Sequence, residues 1–303
     1  MRFSTIRAFA SLPILCAALV AQQPTRPPIT GVAFARFYTT NPIAAQKFYG
    51  DTLGYGRKPV DGMVIYPINR SQWVELITNT PPPHANNRLA AVAFTTTNAA
   101  QLERYLESKG IKPEQPLKNG QFAVHDPEGN LVIFVQKGSE NAVSTAAPQP
   151  DAASHRIIHV GFMVTDATTE NTFWRDILGF RPYWHGGPKE GVDNWVSQQV
   201  PDGSDWLEYM LNNGPNPTLQ HAGVMNHFSL GVVSMPDTVA ALARNHCEGP
   251  NCAKSQLGKD GKVQLNLYDP DLTRVEFMEF TPKQDPCCSP FTAKHPSPSD
   301  PND

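Results

Sequence analysis

Hydrophobic positions along the chain recur with two different periods. Residues 29–38, 89–96, 131–136, 157–164, 227–233, 263–268 and 273–280 are apolar-rich runs of period two. A shorter run covers 122–124. That period predicts strands with one covered face. Helical spacing marks the stretches ending at Leu53-Gly54 and Leu178-Gly179, and also residues 98–109 and 236–245. Thr40-Asn41 and Thr165-Asp166 supply N-caps for the first and third helices, and Gly54 and Gly179 supply their C-terminal stops.

The same words appear twice. Phe48-Tyr49-Gly50-Asp51-Thr52-Leu53-Gly54-Tyr55 recurs as Phe173-Trp174-Arg175-Asp176-Ile177-Leu178-Gly179-Phe180. Trp73-Val74-Glu75 recurs as Trp206-Leu207-Glu208, and Asp126-Pro127-Glu128 as Asp269-Pro270-Asp271. The offset grows along the copies, as loop insertions in the later copy would make it. Residues 29–138 and 157–281 are therefore expected to be two copies of one domain, joined by an Ala/Ser/Pro-rich linker at 139–156. Each copy divides again into a strand, a helix and further strands. The prediction is an α+β chain of four βαβββ units in two tandem pairs. The proline-rich segment 282–303 is expected to be a disordered tail.

These motifs resemble those of the vicinal oxygen chelate superfamily, which includes glyoxalase I, bleomycin-resistance proteins and type I extradiol ring-cleaving dioxygenases. The shared helix ending in Leu-Gly and the turn Asp126-Pro127-Glu128-Gly129-Asn130 carry the resemblance. It implies that paired βαβββ units curl into one open sheet around a pocket. Two pairs on one chain is the layout of the ring-cleaving dioxygenases, where the C-terminal pair carries the metal. In the second turn, Leu272-Thr273 replaces the usual Gly-Asn.

The second copy contains the residues such chemistry needs. His159 and His227 lie on the first strands of the third and fourth units, and Glu276 on the last strand of the fourth. Strand parity sets His159 and His227 beside small residues, Gly161, Ser229 and Gly231. Two imidazoles and one carboxylate suit a divalent ion with open positions for substrate. Fe(II) is favoured, with Mn, Zn or Ni as alternatives. Glu208 is a fourth candidate ligand, and the spacing 49–19–49 through residues 159, 208, 227 and 276 suits paired units. His, Glu, His, Glu is similar to the ligand pattern of glyoxalase I. Aligning the copies sets Gly31 opposite His159, Ala91 opposite His227, Ile133 opposite Glu276 and Glu75 opposite Glu208. The first copy is thus expected to bind no metal. His221 and His246 read as solvated, while His185 could reach the pocket.

The resemblance implies a metal-dependent enzyme acting on a small molecule with vicinal oxygens, dioxygenase-like by layout. Its departures matter: Glu208 falls where a further pocket histidine is expected, and residues 263–268 contain none. A glyoxalase-like isomerase or lyase, using a metal with Glu208 or Glu276 as base, is the alternative. A non-catalytic small-molecule binder is the third.

Composition adds bounds. The 303 residues are 40% hydrophobic, enough for a core, and carry a net charge of −3, which excludes a strongly basic nucleic-acid binder. Arg2 and Arg7 precede an apolar run and small residues, so 1–21 reads as a signal peptide and the protein as exported, with no membrane span once it is removed. Beyond Cys16 four cysteines remain. Cys247 and Cys252 would close a tight loop. Cys287 and Cys288, being adjacent, are expected to pair less easily with each other than with that loop. A site completed within one chain allows a monomer or a homodimer.

Overall fold

The computed structural model describes residues 1, 24–60, 62–79, 81–82, 87–139 and 149–299. The expected signal segment (2–21), the middle of the linker (140–148) and residues 300–303 lie outside them.

The period-two runs form strands because their β-branched and aromatic residues bury one face against helices and the other toward a curved interior. The first copy contributes β1 (Ile29–Tyr38), β2 (Lys58–Val60), β3 (Met63–Pro67), β4 (Trp73–Ile77), β5 (Leu89–Thr96), β6 (Gln115–Lys118), β7 (Gln121–His125) and β8 (Leu131–Gln136). The second contributes β9 (Ile157–Met163), β10 (Arg181–Gly186), β11 (Trp195–Gln199), β12 (Trp206–Met210), β13 (His227–Val232), β14 (Ser255–Leu257), β15 (Val263–Tyr268) and β16 (Arg274–Glu279). The sheets have equivalent orders, β2-β3-β4-β1-β5-β8-β7-β6 and β10-β11-β12-β9-β13-β16-β15-β14. Each is two four-stranded halves joined by an antiparallel central pair, β1 with β5 and β9 with β13. This is the tandem βαβββ architecture expected.

Helices α1 (Pro42–Gln46), α2 (Ala99–Ser108), α3 (Ala167–Asn171), α4 (Leu219–Met225) and α5 (Met235–Arg244) connect the strands. Asn41 and Asp166 cap α1 and α3 through their side chains, and Gly54 and Gly179 take positive φ after them. The repeated aromatic motif widens both helices into a π-type turn, with Leu53 N–H bonded to Phe48 C=O and Leu178 N–H to Phe173 C=O.

The apolar core runs through both copies without a break. Phe94 on β5 packs edge-on against Trp174 and Phe180 of the second copy, with ring centroids 5.5 and 5.2 Å away. Burying one such phenylalanine stabilises by about 1.5–3 kcal/mol. The duplicated turns clamp the copies reciprocally. Glu128 accepts from the N–H groups of Thr165 and Asp166 ahead of α3, at 2.8 and 2.6 Å. Asp271 accepts from Thr39 Oγ1 and Thr40 N ahead of α1, at 2.7 and 3.0 Å.

Two expectations are corrected. The described part of the 282–303 tail is packed rather than disordered. Thr292 N–H bonds Tyr183 C=O, Cys287 N–H bonds Lys259 C=O, and Phe291 packs on Tyr183 with centroids 5.0 Å apart. Its prolines forbid a helix or central strand, but they leave enough N–H groups to tie it along β10. The cysteines pair as Cys247–Cys252 and Cys287–Cys288. The 247–252 loop closes on itself, which among the described residues leaves the adjacent cysteines to each other.

Candidate metal centre

His159 reaches the concave face of its sheet through a bulge. Ser229 pairs with His159 but Leu230 with Ile157, so Ile158 is an extra residue in β9. The bulge turns Ile158 and His159 to the same side. Across the central pair, Gly161 faces His227, and next door Ser229 faces Glu276. Strand register therefore delivers two imidazoles and one carboxylate, all buried, to one spot.

The atoms converge. His159 Nε2 lies 3.0 Å from His227 Nε2 and 3.2 Å from Glu276 Oε2. His227 Nε2 is 3.9 Å from the same oxygen. Ligand atoms about 2.1 Å from one cation stand roughly 3.0 to 3.4 Å apart for right-angle to tetrahedral arrangements. Tautomers agree: His227 Nδ1 meets the Met225 carbonyl at 2.8 Å, so its proton sits there and Nε2 presents a lone pair. Two imidazole nitrogens and a carboxylate oxygen thus converge on one point, a donor set that suits a cation. Among the described residues this is the group able to hold a metal ion, and Glu208 is outside it.

Burial first, then the Arg274 charge, pushes His227 well down from the ordinary imidazole value. Burial lowers His159 too, against the pull of Glu276. Burial alone would raise Glu276, but Arg274 and the imidazoles outweigh it and hold its carboxyl below the usual carboxylate range. Both histidines thus favour the neutral, ligating form and Glu276 the anionic one.

Glu208, on β12, lies 3.7 Å from His227 Nε2 and accepts from Ser197 Oγ at 3.4 Å. Burial pushes it up to about 8, with a further rise from Glu276 and a partial offset from Arg274. Glu208, Glu276 and Arg274 line a cavity of about 360 Å³ that is walled by Tyr183, Trp184, Trp195, Trp206 and Phe291. Trp184, Trp195 and Trp206 thus line the pocket; Tyr209 and Phe228 belong to the main core.

Register also corrects the alignment of the first copy. Phe34 pairs with Trp73 as His159 pairs with Trp206, so Phe34, not Gly31, occupies the His159 position. Bulges and insertions defeat simple counting from the strand start. Ala91 and Ile133 do match His227 and Glu276. Phe34, Ala91 and Ile133 fill the first interior with an apolar cluster, and Glu75 is held there by Arg36 and the Trp73 indole N–H. His185 does not reach the pocket. It is exposed on β10 and pairs with Asp193 at 2.8 Å.

Sequence reasoning missed two cations. Arg274 sits two residues before Glu276 on one strand, so parity had placed both on one face. Lys262 is wholly buried, its ammonium 4.7, 5.5 and 5.8 Å from the ring centroids of Trp206, Phe291 and Tyr183. Burial pushes it down to about 8, against Asp260 and Glu276. No local pattern announces it, because its partners come from three separate segments.

The family profile described as the Glyoxalase/Bleomycin resistance protein/Dioxygenase superfamily matches residues 31–134 and 156–277. Solved structures of similar fold include the substrate complex of homoprotocatechuate 2,3-dioxygenase from Brevibacterium fuscum with 3,4-dihydroxyphenylacetate. It has 17% identity and a TM-score of 0.59, and the alignment covers 86% of this chain and 82% of that one. The homoprotocatechuate 2,3-dioxygenase of Arthrobacter globiformis is similar at 17% identity and a TM-score of 0.58, over 86% and 84% of the chains. A mutant of the Brevibacterium fuscum enzyme reaches a TM-score of 0.62 at 19% identity, over 86% and 73%. Comparison with curated proteins finds no sequence match. Among the described residues no helix is long and apolar enough to cross a membrane. With two matched segments spanning most of its length, the chain belongs to the glyoxalase/bleomycin resistance protein/dioxygenase superfamily.

Proposed function

We propose that this protein is a metal-dependent enzyme acting on a small molecule with two adjacent oxygens, with a dioxygenase-type centre of His159, His227 and Glu276. The observation that carries the reading is the convergence of those three side chains, within 4.8 Å of one another, with Glu208 left outside the set. Fe(II) suits two imidazoles and a carboxylate with open positions; Mn, Zn and Ni are the alternatives. A divalent ion bound there supplies Lewis acidity toward two neighbouring substrate oxygens.

The chain's own groups do the rest. Aromatic walls exclude water and suit a flat, apolar substrate body. Glu208, pushed up to about 8, exists in both protonation states near neutral pH. It can hold a proton at Oε2 and pass it to or from a substrate oxygen, steadied by Ser197. The N-terminal arginines and apolar run support placement outside the cytoplasm.

One observation favours a second reading. Glu208 is only 3.7 Å from His227 Nε2, close enough to complete a four-ligand, glyoxalase-like isomerase or lyase centre.

Elemental analysis of the purified protein is expected to give one divalent ion per chain, lost in His159→Ala. Oxygen uptake is expected with catechols such as 3,4-dihydroxyphenylacetate. Anaerobic turnover of a hydroxy-carbonyl compound without oxygen uptake would replace dioxygenation by the isomerase reading. A protein without stoichiometric metal would leave only a binding role.

A further inference from the structure

Arg274 stands where a cation is wanted. Its Nη2 is 2.8 Å from His227 Nε2, and its Nη1 is 3.4 Å from Glu276 Oε1. Guanidinium has N–H donors, no acceptor, and does not lose its charge in proteins. The short contact is therefore a hydrogen bond donated into the His227 Nε2 lone pair. That lone pair is the one left free once the opposite nitrogen faces the Met225 carbonyl. One lone pair cannot accept from Arg274 and bind a metal at the same time.

Two further observations bear on this contact. Arg274 Nε is buried without a hydrogen-bond partner, so the guanidinium is held from its outer end, at His227 and Glu276. In the first copy, where Ile133 takes the Glu276 position, Leu131 stands in the place of Arg274. The register sets Ala93 beside Ile133 as it sets Ser229 beside Glu276. The guanidinium is thus found in the copy with the three candidate ligands and not in the copy without them.

We propose that Arg274 is a resident counter-cation of the metal centre: it donates to the His227 Nε2 lone pair and balances the Glu276 charge while no ion is bound, and it is displaced from His227 when a divalent ion binds. This rests on the metal-site reading above and adds a second state to it. Unloaded, the buried Glu276 keeps a positive partner and does not stand as an uncompensated charge. Loading breaks the Arg274–His227 contact, because both need the same lone pair, and it moves a permanent positive charge away from the incoming ion, so the arginine lowers metal affinity. Arg274 is here a positioning residue for the ligand shell.

The test is cobalt(II) binding without substrate or oxygen, followed by calorimetry and by the visible d–d absorption of the ion. Wild type, Arg274→Met and Arg274→Lys are compared. Arg274→Met is expected to bind cobalt at least tenfold more tightly than wild type, with Arg274→Lys between them. Metal-free Arg274→Met is expected to melt below metal-free wild type, and the gap to close when both are saturated. Equal or weaker binding by Arg274→Met overturns the proposal. Should that variant fail to fold without metal, Arg274→Lys decides, with unchanged affinity as the overturning result. Failure of both wild type and Arg274→Met to bind cobalt removes the metal-site reading itself, and with it the proposal; cobalt binding by both at equal affinity overturns the role of Arg274 alone.

Discussion

Gly161 lies directly across the antiparallel β9–β13 pair from His227, and a Cβ at that position would stand 2.2 Å from His227 Cε1 and 2.6 Å from Nδ1. The imidazole fits only because residue 161 has no side chain. In the first copy the same register position is Arg36, whose guanidinium binds Glu75. Exchanging arginine for glycine thus does two things. It opens room for an imidazole, and it strips the neighbouring glutamate, Glu208, of its cation. Burial first, then the Glu276 charge, raises Glu208, with only a partial offset from Arg274.

Gly161→Ala should push His227 out of place while leaving the strand paired. Metal affinity is expected to fall on the order of 10- to 100-fold, as when the support of a ligand is disturbed. Titration with a divalent ion checks it; unchanged affinity would show that the ring has room to spare.

Glu208→Gln separates proton transfer from ligation. The dioxygenase-type reading expects metal content to stay near one per chain while turnover drops by about 10²–10⁴. The pH–rate limb belonging to Glu208 should vanish with it. Loss of the ion in this variant would instead make Glu208 a ligand and favour the isomerase or lyase reading.

Asp271 receives Thr39, Thr40 and the Arg88 guanidinium, the last at 3.4 Å, across the boundary between copies. Asp271→Ala would leave a mostly buried arginine without this partner and uncap the approach to α1. A loss of about 3–5 kcal/mol is expected, the cost of removing one member of a buried pair. Urea unfolding measures it, and a change below about 1 kcal/mol would mean the turn contributes little to docking the copies.

Asp269 offers a pH signature away from the candidate metal centre. Burial, reinforced by the Asp271 charge and opposed by the Thr273 N–H, pushes it up to about 7. Its carboxyl titrates near 3.9 in an unfolded chain, at about the ordinary value. With the folded value raised, the stabilisation is complete below about pH 4 and is lost as pH rises through about 7. Asp269→Asn keeps an acceptor for Asp271 N and Thr273 N and cannot ionise. Melting temperatures should show the variant gaining on wild type between about pH 4 and 7, with a constant gap above. A gap independent of pH across that window would rule the titration out.

Local physics was legible from the residues. Period-two runs, the capping side chains of Asn41 and Asp166, and the left-handed glycines Gly54 and Gly179 each act within a few positions of themselves. The repeated words exposed the duplication, and His159, His227 and Glu276 stood out as chemistry-bearing residues on strands. The bulge at Ile158 was not legible, nor was the true partner of His159 in the first copy, because register depends on which strand lies beside which. Packing of the 282–299 segment was equally hidden, since its hydrogen bonds run to β10 and the Lys259–Gly261 loop more than twenty residues away.

Alternation along the chain determined which residues become strands, and comparison of the two copies determined that the candidate ligands belong to the second and not the first. Only the tertiary structure decided that these side chains share one point and that Arg274 reaches into it. Periodicity assigns a face within a strand, whereas distances between strands arise when long-range pairing brings β9, β13 and β16 together.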